Sequence, residues 1–305
     1  MATSIAQIDK VLAYLNENGE TETLQYFGIT AETLNRYGRS KRFSETKNPK
    51  ILLLDIETAR MHFGGWRLGK QYIGPTQVIK DWFMFGWACK WLYSSTVTSD
   101  FVTAKESLLR DDKRIAKSLW KLVDQADIII SHNGDRFDLP KINWRFLING
   151  LKPPMPYRSI DTYKSTYKQL GASSHALNFL GKMILSKEKI HTEYQLWIDC
   201  EEGNQEALDQ MEEYCKGDTS LLEEVYLEVR PWIKSHPNLA VFMETDEQCC
   251  PNCGSFDFED GESYYTTPQN KYVSVRCASC GAVNHRKKSE MTKEQRKVML
   301  VPNAR

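Results

Sequence analysis

Ile51-Leu52-Leu53-Leu54-Asp55-Ile56-Glu57-Thr58 is an apolar run that closes on two acids. Consecutive aliphatic residues read as a strand buried on both faces, as in the sheet of an α/β domain. Strand side chains alternate, so Asp55 and Glu57 share one face at the strand's end. Carboxylates so placed repel each other, and a cation between them offsets that cost.

Taken alone, Asp-x-Glu after a strand is a weak signal, but two further acidic motifs follow. Asp138 lies in His132-Asn133-Gly134-Asp135-Arg136-Phe137-Asp138-Leu139-Pro140, after the buried-strand run Asp127–Ser131. Asp218 lies in Tyr214-Cys215-Lys216-Gly217-Asp218-Thr219. Each has a bland explanation. Asp138 at a helix start favours the helix dipole, and Tyr214 with Asp218 is an ordinary pair on one helix face. Jointly they point elsewhere, because carboxylates gathered from distant segments are how proteins hold two divalent cations for phosphodiester cleavage.

The surrounding texture is that of a mixed sheet flanked by helices. Val78–Leu92 reads as a second strand, Thr96–Thr103 as a third and Arg158–Thr162 as a fifth. Lys105–Gln125 and Leu139–Leu147 read as helices, with Pro140 tolerated in a first turn. Glu206–Cys215 and Thr219–Ile233 read as two helices broken at Gly217.

The joint pattern resembles the DEDD superfamily of 3′–5′ exonucleases, and within it the exonuclease domain of family B DNA polymerases. Asp55-Ile56-Glu57 resembles the first motif and Asn133–Pro140 the second. Tyr214-x-x-x-Asp218 resembles the third, in its tyrosine subtype. The resemblance implies a ribonuclease-H-like fold and two catalytic Mg²⁺ or Mn²⁺ ions. By it, Asp55 would bridge both ions, and Glu57 and Asp218 would hold the one that carries the attacking water. Asp138 would support the second ion, and Tyr214 would orient the water. The implied activity is metal-dependent 3′–5′ hydrolysis of DNA. The competing readings are an RNA-processing or structure-specific nuclease of the same fold, or a non-catalytic DNA-binding or assembly protein.

Neighbouring residues supply further candidates. His132, Asn133 and Phe137 are candidate substrate contacts, although the first two suit turn formation better. Asp161 suits a surface or capping role, and Ser173–Asn178 a channel lining.

Flanking segments extend the picture. Ile5, Ile8, Val11, Leu12 and Leu15 make a helical stripe that ends at Asn18-Gly19. Thr23–Tyr37 resembles a helix-turn-helix unit, with Leu24, Phe27 and Leu34 facing inward, Gly28 at the turn and Thr30 as a cap. Residues 36–50 carry Arg36, Arg39, Lys41, Arg42, Lys47 and Lys50 against Glu45, and Arg36 and Arg39 are candidate phosphate contacts. Cys250-x-x-Cys253-Gly and Cys277-x-x-Cys280-Gly are two knuckles with 23 residues between them. This spacing predicts one structural Zn²⁺ in a zinc ribbon, with Cys249 outside the ligand set. Strands are expected at Tyr264–Thr266 and Tyr272–Arg276. The tail 286–305 carries seven Lys/Arg against Glu290 and Glu294.

The expected domains are therefore 1–44 (helix-turn-helix-like), 48–235 (ribonuclease-H-like), 245–288 (four-cysteine zinc ribbon) and 289–305 (basic tail). The chain has 40 Lys+Arg and 40 Asp+Glu, so nucleic acid must be met by local patches. The expected partner is nucleic acid, DNA before RNA, with a protein partner admitted at the amino-terminal module or ribbon. No run is long and apolar enough for a membrane, no secretory leader is legible, and the cysteine usage suits a reducing compartment.

Overall fold

The computed structural model describes residues 5–31, 33–34, 48–67, 69–190, 192–243 and 245–300. Two compact units emerge, Lys50–Glu228 and Met1–Pro49 together with Val229–Arg305. Among the described residues, no helix is long and apolar enough to cross a membrane.

The larger unit is built on a five-stranded sheet. Its strands are β1 (Ile51–Thr58), β4 (Met84–Trp91), β5 (Val97–Phe101), β6 (Ile128–Ser131) and β7 (Arg158–Asp161), in the order β5-β4-β1-β6-β7. β1 runs antiparallel to β4 and parallel to β6, so antiparallel and parallel halves meet on it. This is a mixed α/β sheet of ribonuclease-H-like type, as the sequence predicts. Period-two alternation divides β1. Leu52, Leu54 and Ile56 join one core cluster with Trp87, Ile115, Leu119, Ile142 and Phe146, while Leu53 shares the other face with Asp55 and Glu57.

Three elements differ from expectation. The run 78–92 is two strands in different sheets. β3 (Val78–Lys80) pairs with β2 (His62–Phe63), and β4 begins only at Met84. Between them the Asp81 carboxylate accepts the Trp82 N–H (2.9 Å), and this local bond turns the backbone off the ladder. The run 105–125 is also two helices, α3 (Ala104–Leu109) and α4 (Lys113–Val123). Arg110 ends α3 in the left-handed conformation (φ 53°). Asp112 then turns inward, 1% exposed, and accepts the Met84 N–H (2.9 Å). Arg145, on α5 (Asp138–Ile148), closes this buried ion pair with Nη2 2.6 Å from Oδ1 and Nε 2.5 Å from Oδ2. Finally, 205–229 is one unbroken helix across Gly217. Glycine costs a helix interior only about 1 kcal/mol. Burial of Leu208, Met211 and Cys215 before Gly217, and of Leu222, Val225 and Tyr226 after it, outweighs that cost.

The smaller unit begins with α1 (Ile5–Asn18) and α2 (Glu20–Phe27), and Gly28 closes α2 in the left-handed conformation. Val11, Leu12 and Leu34 form its core with Leu15, Leu24 and Phe27. The Thr30 hydroxyl accepts the Thr33 N–H (3.1 Å), the expected cap. Glu32 and 35–47, including Arg36 and Arg39, lie outside the described residues. The same unit holds a three-stranded antiparallel sheet of β8 (Phe258–Thr266), β9 (Lys271–Cys277) and β10 (Val283–Ser289).

Removal of one member of a buried ion pair strands the other. Asp112→Ala is therefore expected to destabilise the protein by about 3–5 kcal/mol, read as a lower midpoint in urea with an unchanged slope.

Candidate active site

The two acids of β1 lie beside the antiparallel partner, with Asp55 opposite Ala88 and Glu57 opposite Gly86. The helix α6 (Thr162–Gln169) follows β7, and α7 (Leu177–Leu185), α8 (Tyr194–Glu201) and α9 (Gln205–Val229) complete the unit. On α9, Cys215 and Thr219 dock against this part of the sheet. The Cys215 thiol donates to an Asp55 carboxylate oxygen (3.4 Å), and the Thr219 hydroxyl donates to the Ala88 carbonyl (3.3 Å). That seating delivers Asp218. One ligand oxygen each from Asp55, Glu57 and Asp218 lie within 4.8 Å of one another.

Asp138 arrives from the opposite side as the first residue of α5. Its Oδ1 accepts the Ile56 N–H (3.2 Å), a bond between the two β1 acids. The loop before it is tightly specified. Asn133 has φ 64°, its N–H donates to Asp161 (3.0 Å), and the Asp135 N–H donates to the same carboxylate (3.2 Å). Asp161 also caps α6 through the Lys164 N–H. It is thus a capping residue as expected, but buried rather than on the surface, at 5% exposure. A Cβ at Gly134 would stand 1.9 Å from the Ser131 hydroxyl and 3.4 Å from an Asp138 oxygen. The loop's sequence is therefore fixed by the closeness of its approach.

The electrostatics follow from four acids in one enclosed place. The Asp55 carboxyl is raised well above its ordinary range, first by burial and then by the charges of Asp138, Glu57 and Asp218. Burial and the Asp218 charge push Glu57 up to about 8, and burial lifts Asp138 to about 7. Asp218 is raised by burial but restrained by Lys189.

Lys189 belongs to none of the acidic motifs. Its Nζ lies 2.5 Å from an Asp218 oxygen and donates to the Tyr214 hydroxyl (3.2 Å). Its backbone N–H is fixed by the Asn178 side chain (2.8 Å). Burial alone would lower the Lys189 pKa, yet Asp218 and Tyr214 together outweigh it and raise it. The Tyr214 phenol is pushed up to about 12 by burial and the Asp218 charge, so it stays protonated and hydrogen-bonds Asp218. No local pattern distinguishes Lys189 from Lys182 or Lys187, so only the fold could find it.

The expected substrate contacts divide. His132 hydrogen-bonds the Thr162 hydroxyl through Nδ1 (2.8 Å), and burial lowers its pKa to about 4. With Asn133 it organises the turn. Phe137 is 40% exposed, with Lys141 Nζ 4.8 Å from its ring centroid. Tyr163, Tyr167 and His175 form a ring cluster that meets His132 through Tyr163, and His175 falls in the expected channel segment.

The second cluster is sulfur. Cys250, Cys253, Cys277 and Cys280 bring their sulfurs within 4.8 Å of one another. The Cys250–Cys280 and Cys253–Cys277 separations are 3.7 and 3.6 Å. Tetrahedral Zn–S bonds of about 2.3 Å require edges of about 3.8 Å, so the donor set fits Zn²⁺. Cys249 stays outside the set, against Met243 Sδ (3.8 Å).

The raised carboxyls make a stability prediction for metal-free protein. The native state holds protons that the unfolded chain has released, so stability falls as pH rises from about 4.5 through the values near 7 and 8. In chelator, the melting temperature is expected to drop between pH 6 and 8.5. Mn²⁺ should restore it most at the alkaline end.

Among known families, the model of the RNase H superfamily matches residues 83–230. The matched segment contains Asp138, Tyr214 and Asp218, and begins after the strand that bears Asp55 and Glu57. No curated protein matches the chain. The match and the sheet agree on an RNase H-like fold, a fold that supports nuclease-like chemistry on nucleic acid.

Proposed function

We propose that the protein is a metal-dependent 3′–5′ exonuclease acting on DNA. The observation that carries this reading is the meeting of Asp55, Glu57 and Asp218 within 4.8 Å, with Asp138 bonded to the backbone between the first two. Nothing in folding rewards the gathering of mutually repelling acids; a bound cation does. Hard carboxylate oxygens suit Mg²⁺ or Mn²⁺. When bound, two such ions supply Lewis acidity at the scissile phosphate and make water acidic enough to attack at neutral pH.

The protein's own part is placement. Asp55, Glu57 and Asp218 would together hold a cation, and Asp138, bonded to the Ile56 N–H beside them, would support a second. The neutral Tyr214 phenol orients the attacking water as a hydrogen-bond partner. Lys189 balances the acids' charge beside Asp218 and Tyr214. Phe137 offers an exposed ring to the terminal base.

The remaining modules hold substrate. The functional division follows 1–44 as a helix-turn-helix-like module, 48–235 as the nuclease, 245–288 as a Zn²⁺ ribbon and 289–305 as a basic tail.

Two experiments test the assignment. Asp55→Asn keeps the side chain's shape but removes its charge. It is expected to lower Mn²⁺-dependent release of mononucleotides from a 3′-labelled strand by on the order of 10²–10³-fold, while the metal-free protein melts higher than the parent. Undiminished digestion by the purified variant would sink the reading. Separately, Cys277→Ser should lower the zinc found by elemental analysis from one equivalent per chain, without changing occupancy at the acidic site.

A further inference from the structure

The ribbon sheet has two unlike faces. On β9, alternation sends Val273, Val275 and Cys277 to one side, and Tyr272, Ser274 and Arg276 to the other. The first side is closed against the cysteine cluster: Val275 and Cys277 are buried, and Phe258, opposite Cys277, packs on the cysteines. The second side bears one ring from each strand. Tyr265 of β8 pairs with Tyr272 of β9, and His285 of β10 pairs with Ser274 of β9. Ser274 is small, so the outer two rings meet over the central strand. Tyr265 and His285 stack at 4.5 Å and 7°, with Tyr272 5.0 Å from His285. Tyr265 is 49% exposed, and His285 is exposed beside it. The His285 ring is oriented by a bond between Nδ1 and the Arg286 carbonyl (3.0 Å).

Cations lie on the β9 and β10 side of this platform. Arg276 shares the face with Tyr272, and β10 carries Arg286, Lys287 and Lys288, whereas β8 carries Glu259, Asp260 and Glu262, and Lys271 sits over the Tyr264 ring on the other face. Arg276, Lys287 and Lys288 are exposed. Glu259, opposite Arg276, is the acid at the far end of the same face. Three flat rings with cations along one side do not suit an aliphatic protein surface. They suit bases that stack while their phosphates meet lysine and arginine. Base faces are hidden inside a duplex, so the occupant must be unpaired.

The geometry points to the outer face of the β8-β9-β10 sheet, centred on Tyr265, Tyr272 and His285, as a binding surface for single-stranded DNA. This rests on the proposed nuclease function for the choice of DNA, and it adds a second, non-catalytic contact with the strand. The surface reads no sequence, because every base has a face to stack.

The test uses the full chain with Zn²⁺ retained, in an Asp55→Ala background that does not digest the probe. Binding of fluorescent 20-mer oligothymidylate is followed by anisotropy. Tyr265→Ala with His285→Ala is expected to weaken binding by about tenfold or more, while Tyr265→Trp preserves it. Zinc content and the melting curve should match the parent, which separates lost stacking from lost folding. Unchanged affinity in the double variant overturns the assignment. So does an equal loss for a blunt duplex of the same length, or binding of oligouridylate in place of oligothymidylate. In the Asp55-intact protein, the double variant should still hydrolyse the p-nitrophenyl ester of thymidine 5′-monophosphate at the parental rate. Full hydrolysis of that ester by Asp55→Ala would refute the nuclease reading and leave the binding result standing.

Discussion

Repulsion among four carboxylates is the constraint around which the larger unit is organised. Asp55, Glu57, Asp138 and Asp218 come from one strand and two helices; the charges of the other three oppose the charging of Asp55, and those of Asp218 and Asp138 oppose that of Glu57. A fold that keeps such a cluster must hold it from outside. The apolar core of β1 and β4 does so beneath, α9 does so through Cys215 and Thr219, and the Ile56 N–H does so for Asp138. Lys189 supplies the compensating positive charge within the protein itself.

Much of this was legible because each acid sits in a local pattern. A buried run ending in Asp-x-Glu declares both a strand and a face, and Phe-Asp-x-Pro declares a helix start. The four-residue spacing of Tyr214 and Asp218 declares a shared helix surface. The cysteine pairs were clearer still, since ligand spacing in a ribbon is set by short turns, and Cys250 rather than Cys249 proved to join the cluster.

What stayed hidden depends on partners distant in sequence. Lys189 matters through Asp218 and Tyr214, not through its neighbours. The break between α3 and α4 comes from Asp112 reaching Met84 and Arg145, so helical composition through 105–125 gave no warning. Gly217 is the converse case, where local propensity argues for a break that packing overrides. Asp161 looked superficial because a short polar sequence does not reveal that two backbone amides of another loop converge on it.

Gly134 carries an evolutionary consequence. Even alanine there would intrude on both the Cβ and the hydroxyl of Ser131, at 2.4 and 1.9 Å. Trimming Ser131 to alanine would leave its Cβ, at 2.4 Å, still in the way, and only glycine there would clear both atoms. Lineages that retain this loop with a side chain at position 131 are held to a hydrogen atom in place of a Cβ at position 134. Drift away from glycine would accompany abandonment of the acid behind it.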